Sequence, residues 1–431
     1  MVRISRFATS PRPTSLDRTS SSSGNWDATW SLGEYVFRRS MDFRRRSVTL
    51  GGAGGVNPVS WTQQKKHKKR NVVAGVDQQE LFDPESLADP DSLFFDFKGV
   101  HIHYKEHIEK DEHIPSSSSS SLKVKYPFVL LHGFGASSFS WKLAMGPLSS
   151  LTYSKVLAFD RPAFGLTSRI ISSSRSGGTC EGDDDIAMRV LNPYSMGFSV
   201  RSTLSFIDHL SAEKAILIGH SAGCLVAVNT YLEAPERVAA LILVCPAIAA
   251  PLISINGTSE VRIQNTFGTL YRKALSAILN SSFAVTLTRT IIDVFGLTII
   301  RFAWHDSTRF TDHFVQGYTK PLKTKGWELA LLEFANAMVT DSESKPPLMK
   351  RLSKISCPVL IITGDNDRII PTWNAKNLSS AIPGSILEVI QNCGHLPHEE
   401  KVEEFSSAVE KFLHRVFGDS DLKQEKRSNQ C

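Results

Sequence analysis

Residues 215–223 read AILIGHSAG, an apolar run that ends in Gly219-His220-Ser221-Ala222-Gly223. Residues 225–232 are again mostly apolar, so the pattern predicts a buried strand, a sharp turn and a helix. Such a turn exposes the hydroxyl of Ser221 and needs glycines two residues to either side, where side chains would clash. The amino end of the helix favours negative charge that develops at the serine. The stretch therefore predicts a nucleophilic serine, with an ordinary helix cap as the alternative.

Apolar runs of strand length also occur on both sides of this stretch. Continuous runs of this kind are typical of parallel strands that are buried on both faces. Helix-like stretches, such as 199–210, 222–233 and 400–416, separate most of them. The alternation predicts an α/β fold with a doubly wound, mostly parallel sheet, in which ligands bind beyond the carboxyl ends of the strands. The other runs are residues 128–131, 156–159, 238–244, 358–362 and 386–390.

Residues 246–345 interrupt the alternation and predict a helical cap inserted into the sheet domain. Most of the apolar and aromatic side chains there are expected in the core of the cap, and a minority at a pocket between cap and sheet. The longest apolar stretch, 283–304, contains Arg289, Asp293 and Arg301. These charges favour a helical lid segment, and the sequence predicts no transmembrane segment.

The core of the fold is predicted in two parts, 91–245 and 346–417, followed by a polar tail at 418–431. Order is expected to begin near Asp91, with a hairpin formed by residues 92–98 and 100–106 around Gly99.

Residues 1–76 differ in composition from the rest of the chain. They are rich in serine and hold 14 Lys or Arg against four acidic residues, whereas the whole chain has a formal charge of only +6. We predict a disordered basic extension that acts as a transit peptide, with the chloroplast as its destination. The alternative is an unstructured tail on a cytoplasmic protein. The remainder has no basic excess, which argues against a nucleic-acid partner.

The composition of the whole chain is that of a globular protein, with 41% hydrophobic and 21% charged residues. Its six cysteines are scattered and form no C-x-x-C pair, which excludes the usual zinc-ribbon and redox-dithiol patterns. We therefore predict no metal and no organic cofactor, and no substrate-binding residues are assigned.

The stabilisation of an acyl-transfer intermediate requires two backbone donors near its oxygen. The N–H of Ala222, directly after the predicted nucleophile, is one candidate. The loop after residues 128–131 reads His132-Gly133-Phe134-Gly135, where glycines allow the backbone to approach a substrate. The N–H of Phe134 is the second candidate for this oxyanion hole.

A serine hydroxyl also needs a base, and histidine has a suitable pKa. His395 follows residues 386–390 at a predicted carboxyl end, and His398 is the rival three residues later. A carboxylate must orient the imidazole. The loop after residues 358–362 offers Asp365 and Asp367, so the chain order is Ser, then Asp, then His.

Together these motifs resemble the α/β-hydrolase superfamily, in particular its lidded branch, over residues 92–416. The chain is similar to plant members of that branch that carry a basic amino-terminal extension. The resemblance rests on the residues at 132–133, 160–165, 219–223, 364–371 and 394–395. It implies that the aspartate at the fourth position of Gly364-x-x-Asp367 completes the triad. Relatives that act on epoxides or haloalkanes have an aspartate where Ser221 lies here, so those reactions are disfavoured.

The resemblance implies a serine hydrolase with Ser221 as nucleophile, His395 as base and Asp367 as orienting acid. The expected partner is a small apolar molecule with an ester-type bond, which includes lipids and thioesters. The family also contains carbon–carbon bond hydrolases, enzymes of peroxidase type, and hormone receptors that have lost catalysis. Because one fold supports all of these, the sequence leaves a receptor and a carbon–carbon bond hydrolase as alternatives.

Overall fold

The computed structural model describes residues 71–109, 124, 126–170, 191–248, 275–279, 281–340 and 348–428, with side chains up to residue 418. Its inner strands follow apolar runs of the sequence, which are buried because these strands have neighbours on both sides and helices on both faces of the sheet. The strands are β1 Val72–Val73, β2 Val76–Asp77, β3 Leu93–Phe97, β4 Val100–His107, β5 Phe128–Leu131, β6 Val156–Phe159, β7 Ala215–His220, β8 Val238–Val244, β9 Val359–Gly364 and β10 Ile386–Ile390.

Eight of these strands form one sheet in the order β10-β9-β8-β7-β5-β6-β4-β3. The predicted hairpin, formed by β3 and β4, lies at one edge. The pairs β3–β4 and β4–β6 are antiparallel, and all other pairs of this sheet are parallel. The chain passes from β5 to β6 on one side and then crosses back to β7 on the other. A crevice therefore opens beyond the carboxyl ends of β5 and β7.

Helices cover both faces of the sheet, because successive side chains of each strand point to opposite faces. On one face the helices 196–209, 223–233 and 372–381 pack on one set of strand residues. On the other face the helices 142–152 and 402–428 pack on the alternate set. The predicted α/β fold is confirmed. These sheet-covering helices are α1 Lys142–Thr152, α2 Met196–His209, α3 Gly223–Glu233, α8 Thr372–Ala381 and α10 Val402–Ser428.

The described part of the cap is helical and lies over the crevice. A π-helical turn, Ile292–Gly296, joins the helices Ser282–Ile291 and Leu297–Ala303, so that Ser282–Ala303 forms one continuous helical segment. A further helical segment occupies 275–279. The remaining helices are α4 Ser282–Ile291, α5 Leu297–Ala303, α6 Asp312–Thr319 and α7 Trp327–Thr340 in the cap, and the short α9 Pro397–Glu400 before α10.

Order begins earlier than Asp91, so that prediction was wrong. The short strands β1 and β2 form a hairpin whose Val73 and Ala74 pack against Trp327 of the cap. The side chain of Gln78 accepts a hydrogen bond from the indole N–H of Trp327 at 2.9 Å. Two-residue strands are too short to show a periodic pattern, and their burial arises from contact with the cap. The last residues of the predicted extension, 71–76, are therefore part of the fold.

Two further predictions fall at the ends of the chain. Helix α10 continues through most of the predicted polar tail, 418–431, as far as Ser428. Residues 1–70 lie outside the described residues, so the transit peptide and the chloroplast destination stay predictions.

Candidate active site

Ser221 lies in the turn between β7 and α3, where the backbone adopts an unusual conformation. Its φ angle is +50°, in the left-handed region that residues with a side chain rarely adopt. Its N–H donates to the carbonyl oxygen of Val244 at 2.9 Å, and its carbonyl oxygen accepts from the N–H of Cys224 at 3.1 Å. These bonds hold the strained turn and place Ser221 on the wall of a cavity under the cap.

The two glycines of the turn allow the strand and the helix to approach closely. A Cβ atom on Gly219 would lie 2.7 Å from the backbone N and Cα of Cys224. A Cβ on Gly223 would lie 2.1 Å from the carbonyl oxygen of Leu131 at the end of β5. Side chains at either position would push the serine away from the neighbouring strand.

The loop after β5 approaches the serine from the other side. A Cβ on Gly133 would lie 3.2 Å from the Cβ of Ser221 and 2.9 Å from Nδ1 of His220. Within the described part of the chain, the backbone N–H groups of Phe134 and Ala222 donate to no acceptor. Both are therefore available to a negatively charged oxygen that forms near Ser221.

His395 and Asp367 are brought together by the loops after β10 and β9. Nδ1 of His395 lies 2.7 Å from Oδ2 of Asp367, and both side chains are buried. The other carboxylate oxygen accepts the backbone N–H groups of Ile369 and Ile370, each at 2.8 Å. Because a carboxylate only accepts, the ring proton lies on Nδ1 and leaves Nε2 free to take a proton.

Ser221 and His395 line the same cavity. No hydrogen bond joins the hydroxyl of Ser221 to the ring of His395, although both residues are among those the structure describes. Bonds of this kind commonly tighten only when substrate is bound.

Asp365 and His398, the alternative candidates for the acid and the base, have other partners. One carboxylate oxygen of Asp365 accepts the N–H of Cys393 at 3.2 Å and the side-chain amide of Asn366 at 2.7 Å. His398 is fully buried with its ring centroid 4.2 Å from that of Trp141. Burial lowers the pKa of His398 to about 3, so the ring is neutral. Asp365 therefore shapes the loop that carries His395, and His398 packs behind it.

His220 joins the turn of the nucleophile to the loop of the base. Its Nε2 donates to the carbonyl oxygen of His395 at 2.9 Å. Burial holds the pKa of His220 well below its usual value, and the nearby His398 and His395 lower it further, so the donor is a neutral imidazole. The sequence did not reveal this contact, because its local signal is no more than a polar residue directly before Ser221.

The loop of His395 is also bonded to the cap. The N–H of His395 donates to the carbonyl oxygen of Ala303 at 2.7 Å, and a Cβ on Gly394 would lie 2.2 Å from the same oxygen. One carboxylate oxygen of Glu400 accepts the N–H of Gly394 at 2.8 Å and that of His305 at 3.0 Å. Glu400 thus fixes the base loop to the end of α5, a contact that the sequence did not predict.

Asp160 organises the loop after β6 that supplies one wall of the cavity. One of its oxygens accepts the N–H of Ser138 at 2.6 Å, and the other accepts from His103 and from the N–H of Leu166, each at 2.7 Å. Burial raises the pKa of Asp160, but His103 and these bonds lower it more, so the carboxylate stays charged. Gly165 must be glycine, because a Cβ there would overlap this carboxylate.

The cavity has a volume of about 330 Å³, and most of its wall is apolar. The cap contributes Ile292, Leu297 and Ile300, and the 71–77 hairpin contributes Ala74. Among the described lining residues, Arg169 is the one lysine or arginine, and its guanidinium donates to three backbone carbonyl oxygens of its own loop. The wall therefore suits an apolar ligand more than a charged one.

A thiol lies behind the histidine–aspartate pair. Single atoms of Cys245, Asp367 and His395 lie within 4.8 Å of one another, an arrangement that could hold a metal ion. Burial and the neighbouring Asp367 raise the pKa of the Cys245 thiol well above its usual value. A metal needs the thiolate, and the hydrogen bond already occupies the other two groups. The cluster therefore fits a packed thiol better than a metal site.

Comparisons with known proteins identify the family and the fold. Residues 128–408, well over half of the chain, match the family model described as the alpha/beta hydrolase family. An uncharacterized hydrolase of Bacillus subtilis is 24% identical over 331 residues, which cover 74% of this chain and 96% of that protein. The 2-hydroxy-6-oxononadienedioate/2-hydroxy-6-oxononatrienedioate hydrolase of Klebsiella pneumoniae is 27% identical over 299 residues, 68% of this chain and 88% of its own length.

Solved structures show the same fold at low identity. A hydrolase from Pseudomonas aeruginosa superimposes with a TM-score of 0.51 at 18% identity, over 76% of this chain and 99% of that one. Cfl2 from Burkholderia cenocepacia superimposes with a TM-score of 0.53 at 19% identity, over 75% and 97% of the two chains. At this identity the likeness concerns the fold alone.

Proposed function

Because the chain belongs to the alpha/beta hydrolase family, we propose that it is a serine hydrolase that cleaves an ester-type bond of an apolar substrate. The observation that carries the proposal is the buried pair of His395 and Asp367, of which His395 lines the same apolar cavity as the strained Ser221. The pair supplies a base with a fixed tautomer, and the turn supplies an exposed hydroxyl.

In the proposed reaction Oγ of Ser221 attacks the carbonyl carbon while Nε2 of His395 takes the hydroxyl proton. The N–H groups of Phe134 and Ala222 stabilise the oxyanion. The intermediate collapses, and His395 gives the proton to the departing alcohol oxygen. A water molecule, deprotonated by His395, then attacks the acyl-enzyme, releases the acid and restores the hydroxyl of Ser221. Asp367 stabilises the charged imidazole in both steps.

A carbon–carbon bond hydrolase is the second candidate, since the Klebsiella pneumoniae relative carries such a name. That name describes a dicarboxylate substrate. The cavity offers Arg169 as its one cationic side chain among the described residues, and that guanidinium is bonded to its own loop. The apolar wall therefore favours the ester reaction.

The first test is labelling of the full chain with a fluorophosphonate probe, beside a Ser221→Ala control. We expect rapid labelling that is lost in the control. A folded chain that does not label would contradict the proposal and favour a ligand receptor on this fold.

A second assay separates the two reactions. The full chain is offered p-nitrophenyl esters of increasing chain length and, separately, a 2-hydroxy-6-oxo dienoic acid. We expect ester turnover that rises beyond short acyl chains, because the cavity wall is apolar. Turnover of the dienoic acid alone would assign the carbon–carbon reaction instead.

A further inference from the structure

The 71–77 hairpin forms part of the cavity wall, although it belongs to neither the sheet domain nor the cap. Its strands β1 and β2 pair directly across a two-residue turn, Ala74-Gly75. Ala74 lines the same cavity as Ser221. The hairpin lies outside residues 128–408, the part of the chain that matches the family. Membership of the family therefore does not account for this part of the wall.

The turn of the hairpin has an unusual residue at its first position. The φ angles of Ala74 and Gly75 are +48° and +82°. Two-residue hairpin turns with positive φ at both positions strongly prefer asparagine, aspartate or glycine at the first one. A Cβ atom on Gly75 would meet no atom within 4 Å, so glycine is there for its conformation. The strained alanine beside it needs an explanation in its surroundings.

The surroundings of Ala74 are apolar. Its side chain is 9% exposed and packs with Val73 in a cluster around Trp327 of the cap. The other members of this cluster all line the cavity, as Trp327 does; they are Ile292, Leu297, Leu322 and Leu331. Asparagine at position 74 would place an amide in this wall, and glycine would leave a gap in it. The methyl group of alanine closes the wall with an apolar surface.

The helical segment Ser282–Ala303, here called the cap helix, joins the hairpin at this wall. Among the described residues it is the one helix that is long and apolar enough, by length and composition, to cross a membrane. Its residues Leu297 and Ile300 line the cavity, and the carboxylate of Asp293 accepts the N–H of Ala74 at 2.9 Å. The tip of the hairpin and the cap helix therefore form one wall.

Further hydrogen bonds fix the hairpin on the cap. The side chain of Gln78 accepts from the indole N–H of Trp327 at 2.9 Å and donates to the carbonyl oxygen of Leu322 at 3.4 Å. Farther along the chain, Phe82 exchanges two backbone hydrogen bonds of 2.9 Å with the 323–325 segment. Because these contacts hold the segment at several points, the methyl group of Ala74 is a fixed boundary of the cavity.

We infer that the 71–77 hairpin is part of the substrate-binding site and that Ala74 limits the length of the apolar chain that the cavity accepts. The inference rests on the proposed function, since it takes the apolar chain of an ester as the ligand. Among the described residues, the cluster around Ala74 consists of hairpin and cap residues alone. Ser221 and His395 lie on the opposite, sheet side of the cavity. A chain that extends from the ester bond towards the cap therefore meets Ala74.

The test places the same side chain at two neighbouring positions of the full chain. Ala74→Asn puts an amide into the cavity wall, and asparagine tolerates the positive φ of the turn. Gly75→Asn is the matched control, because its φ is also positive and its Cβ meets open space. Ala74→Leu is a second variant that keeps the wall apolar but fills part of the cavity.

The substrates vary the chain on either side of the ester bond. One pair is p-nitrophenyl acetate and p-nitrophenyl octanoate, and the other is methyl acetate and octyl acetate. In at least one pair, we expect Ala74→Asn and Ala74→Leu to lower kcat/KM for the long ester by about tenfold or more relative to the short one. Gly75→Asn should leave both ratios unchanged.

Labelling by a small fluorophosphonate and thermal unfolding verify that each variant is folded with a reactive serine. If Ala74→Leu does not fold, Ala74→Asn carries the test, because the turn favours asparagine. Equal losses on short and long esters would overturn the inference, since the hairpin would then only brace the cap. A control that changes the ratio as much as Ala74→Asn does would overturn it as well.

A binding measurement separates this inference from the proposed reaction. In the Ser221→Ala background, quenching of tryptophan fluorescence by p-nitrophenyl octanoate reports binding without turnover. Binding that Ala74→Asn weakens by about tenfold, and Gly75→Asn does not, supports the inference even if the chain hydrolyses no ester. In that case the proposed function alone fails. Binding of the long ester that neither variant changes would overturn the inference, whatever the turnover.

Discussion

The carboxyl edge of the sheet and the cap form the two sides of one cavity, but their polar groups serve opposite purposes. At the sheet edge, Ser221 and His395 face the cavity with hydrogen-bonding capacity still available. In the cap, Arg289 and Asp293 use their charges for contacts within the protein and leave apolar side chains on both the cavity wall and the outer surface. The sheet edge therefore presents the polar groups that could react with a ligand, whereas the cap presents apolar side chains that could contact it.

This difference implies a division of mutational effects. Substitutions at the sheet edge remove groups that act on the reacting atoms, so they lower the rate of the chemical step. Substitutions in the cap change which molecules enter and how the base loop is held.

The largest difference is expected between two histidines three residues apart. His395→Gln removes the proposed base and should lower kcat/KM by about a thousandfold or more. His398→Gln should lower it by less than about tenfold, because that ring is buried behind the site against Trp141. Ester hydrolysis by both variants, at matched folded fractions, measures the difference. Equal losses would mean that the assignment of the base is wrong.

The two aspartates of the preceding loop give the next comparison. Asp367→Asn leaves the geometry intact but disturbs the tautomer of His395, and we expect a loss of about 10² to 10⁴ in kcat. Asp365→Asn retains an oxygen that can accept the N–H of Cys393, so its effect should stay below about tenfold. A larger loss in Asp365→Asn than in Asp367→Asn would reverse the proposed roles.

The sequence predicted the sheet edge much better than the cap, for a physical reason. Parallel strands buried on both faces must be continuously apolar, so residues 128–131 and 238–244 were predicted with the bounds that the structure has. The half-buried edge strand 386–390 was predicted with its bounds as well. The residues placed at the ends of these strands then meet because parallel strands share one edge. Local pattern placed Ser221, the aspartates at 365 and 367 and the histidines at 395 and 398 at this edge, whereas the choice of Asp367 came from the resemblance to the family.

The contacts that the sequence did not reveal join distant segments. The bond from His220 to His395 spans 175 residues, and the one from Asp293 to Ala74 spans 219. Neither has a periodic signature, because the first joins two loops at the edge of the sheet and the second joins the 71–77 hairpin to the cap helix. The exposure of the apolar side chains of the cap helix could not be predicted either, since a buried helix has the same apolar spacing.

The hydrogen bonds of Glu400, which join the cap to the loop of His395, should have a smaller effect on kcat/KM. Glu400→Gln replaces a carboxylate that accepts the N–H groups of Gly394 and His305. We expect a loss of about tenfold in kcat/KM, since each charge-assisted bond contributes roughly 1.5–3 kcal/mol and only part of it is lost. Hydrogen exchange should rise at residues 303–306. Glu404→Gln, four residues later in the chain and exposed, is the control and should change neither quantity.

The smallest effect on rate, but a clear effect on stability, is expected at Glu399, where α9 meets the cap. Its carboxyl group is buried and accepts a hydrogen bond from Tyr318 at 2.6 Å. Burial raises its pKa from 4.5 to about 8, and the bond from Tyr318 offsets only part of this. Between these values the folded chain retains a proton that the unfolded chain has lost. The free energy of unfolding should therefore fall as pH rises from about 4.5 to about 8.

Glu399→Gln removes this titration, so its stability relative to the wild type should increase with pH. Each pKa unit corresponds to about 1.4 kcal/mol, and the gain at pH 8 over pH 5 should be a few kcal/mol at most. Denaturant unfolding at pH 5, 6.5 and 8 measures it, with the exposed Glu403→Gln as control. A difference between variant and wild type that is the same at all three values would show that Glu399 is ionised in the folded protein. The bond from Tyr318 would then be a charge-assisted hydrogen bond to a carboxylate, and charged carboxylates at both Glu399 and Glu400 would join α9 to the cap.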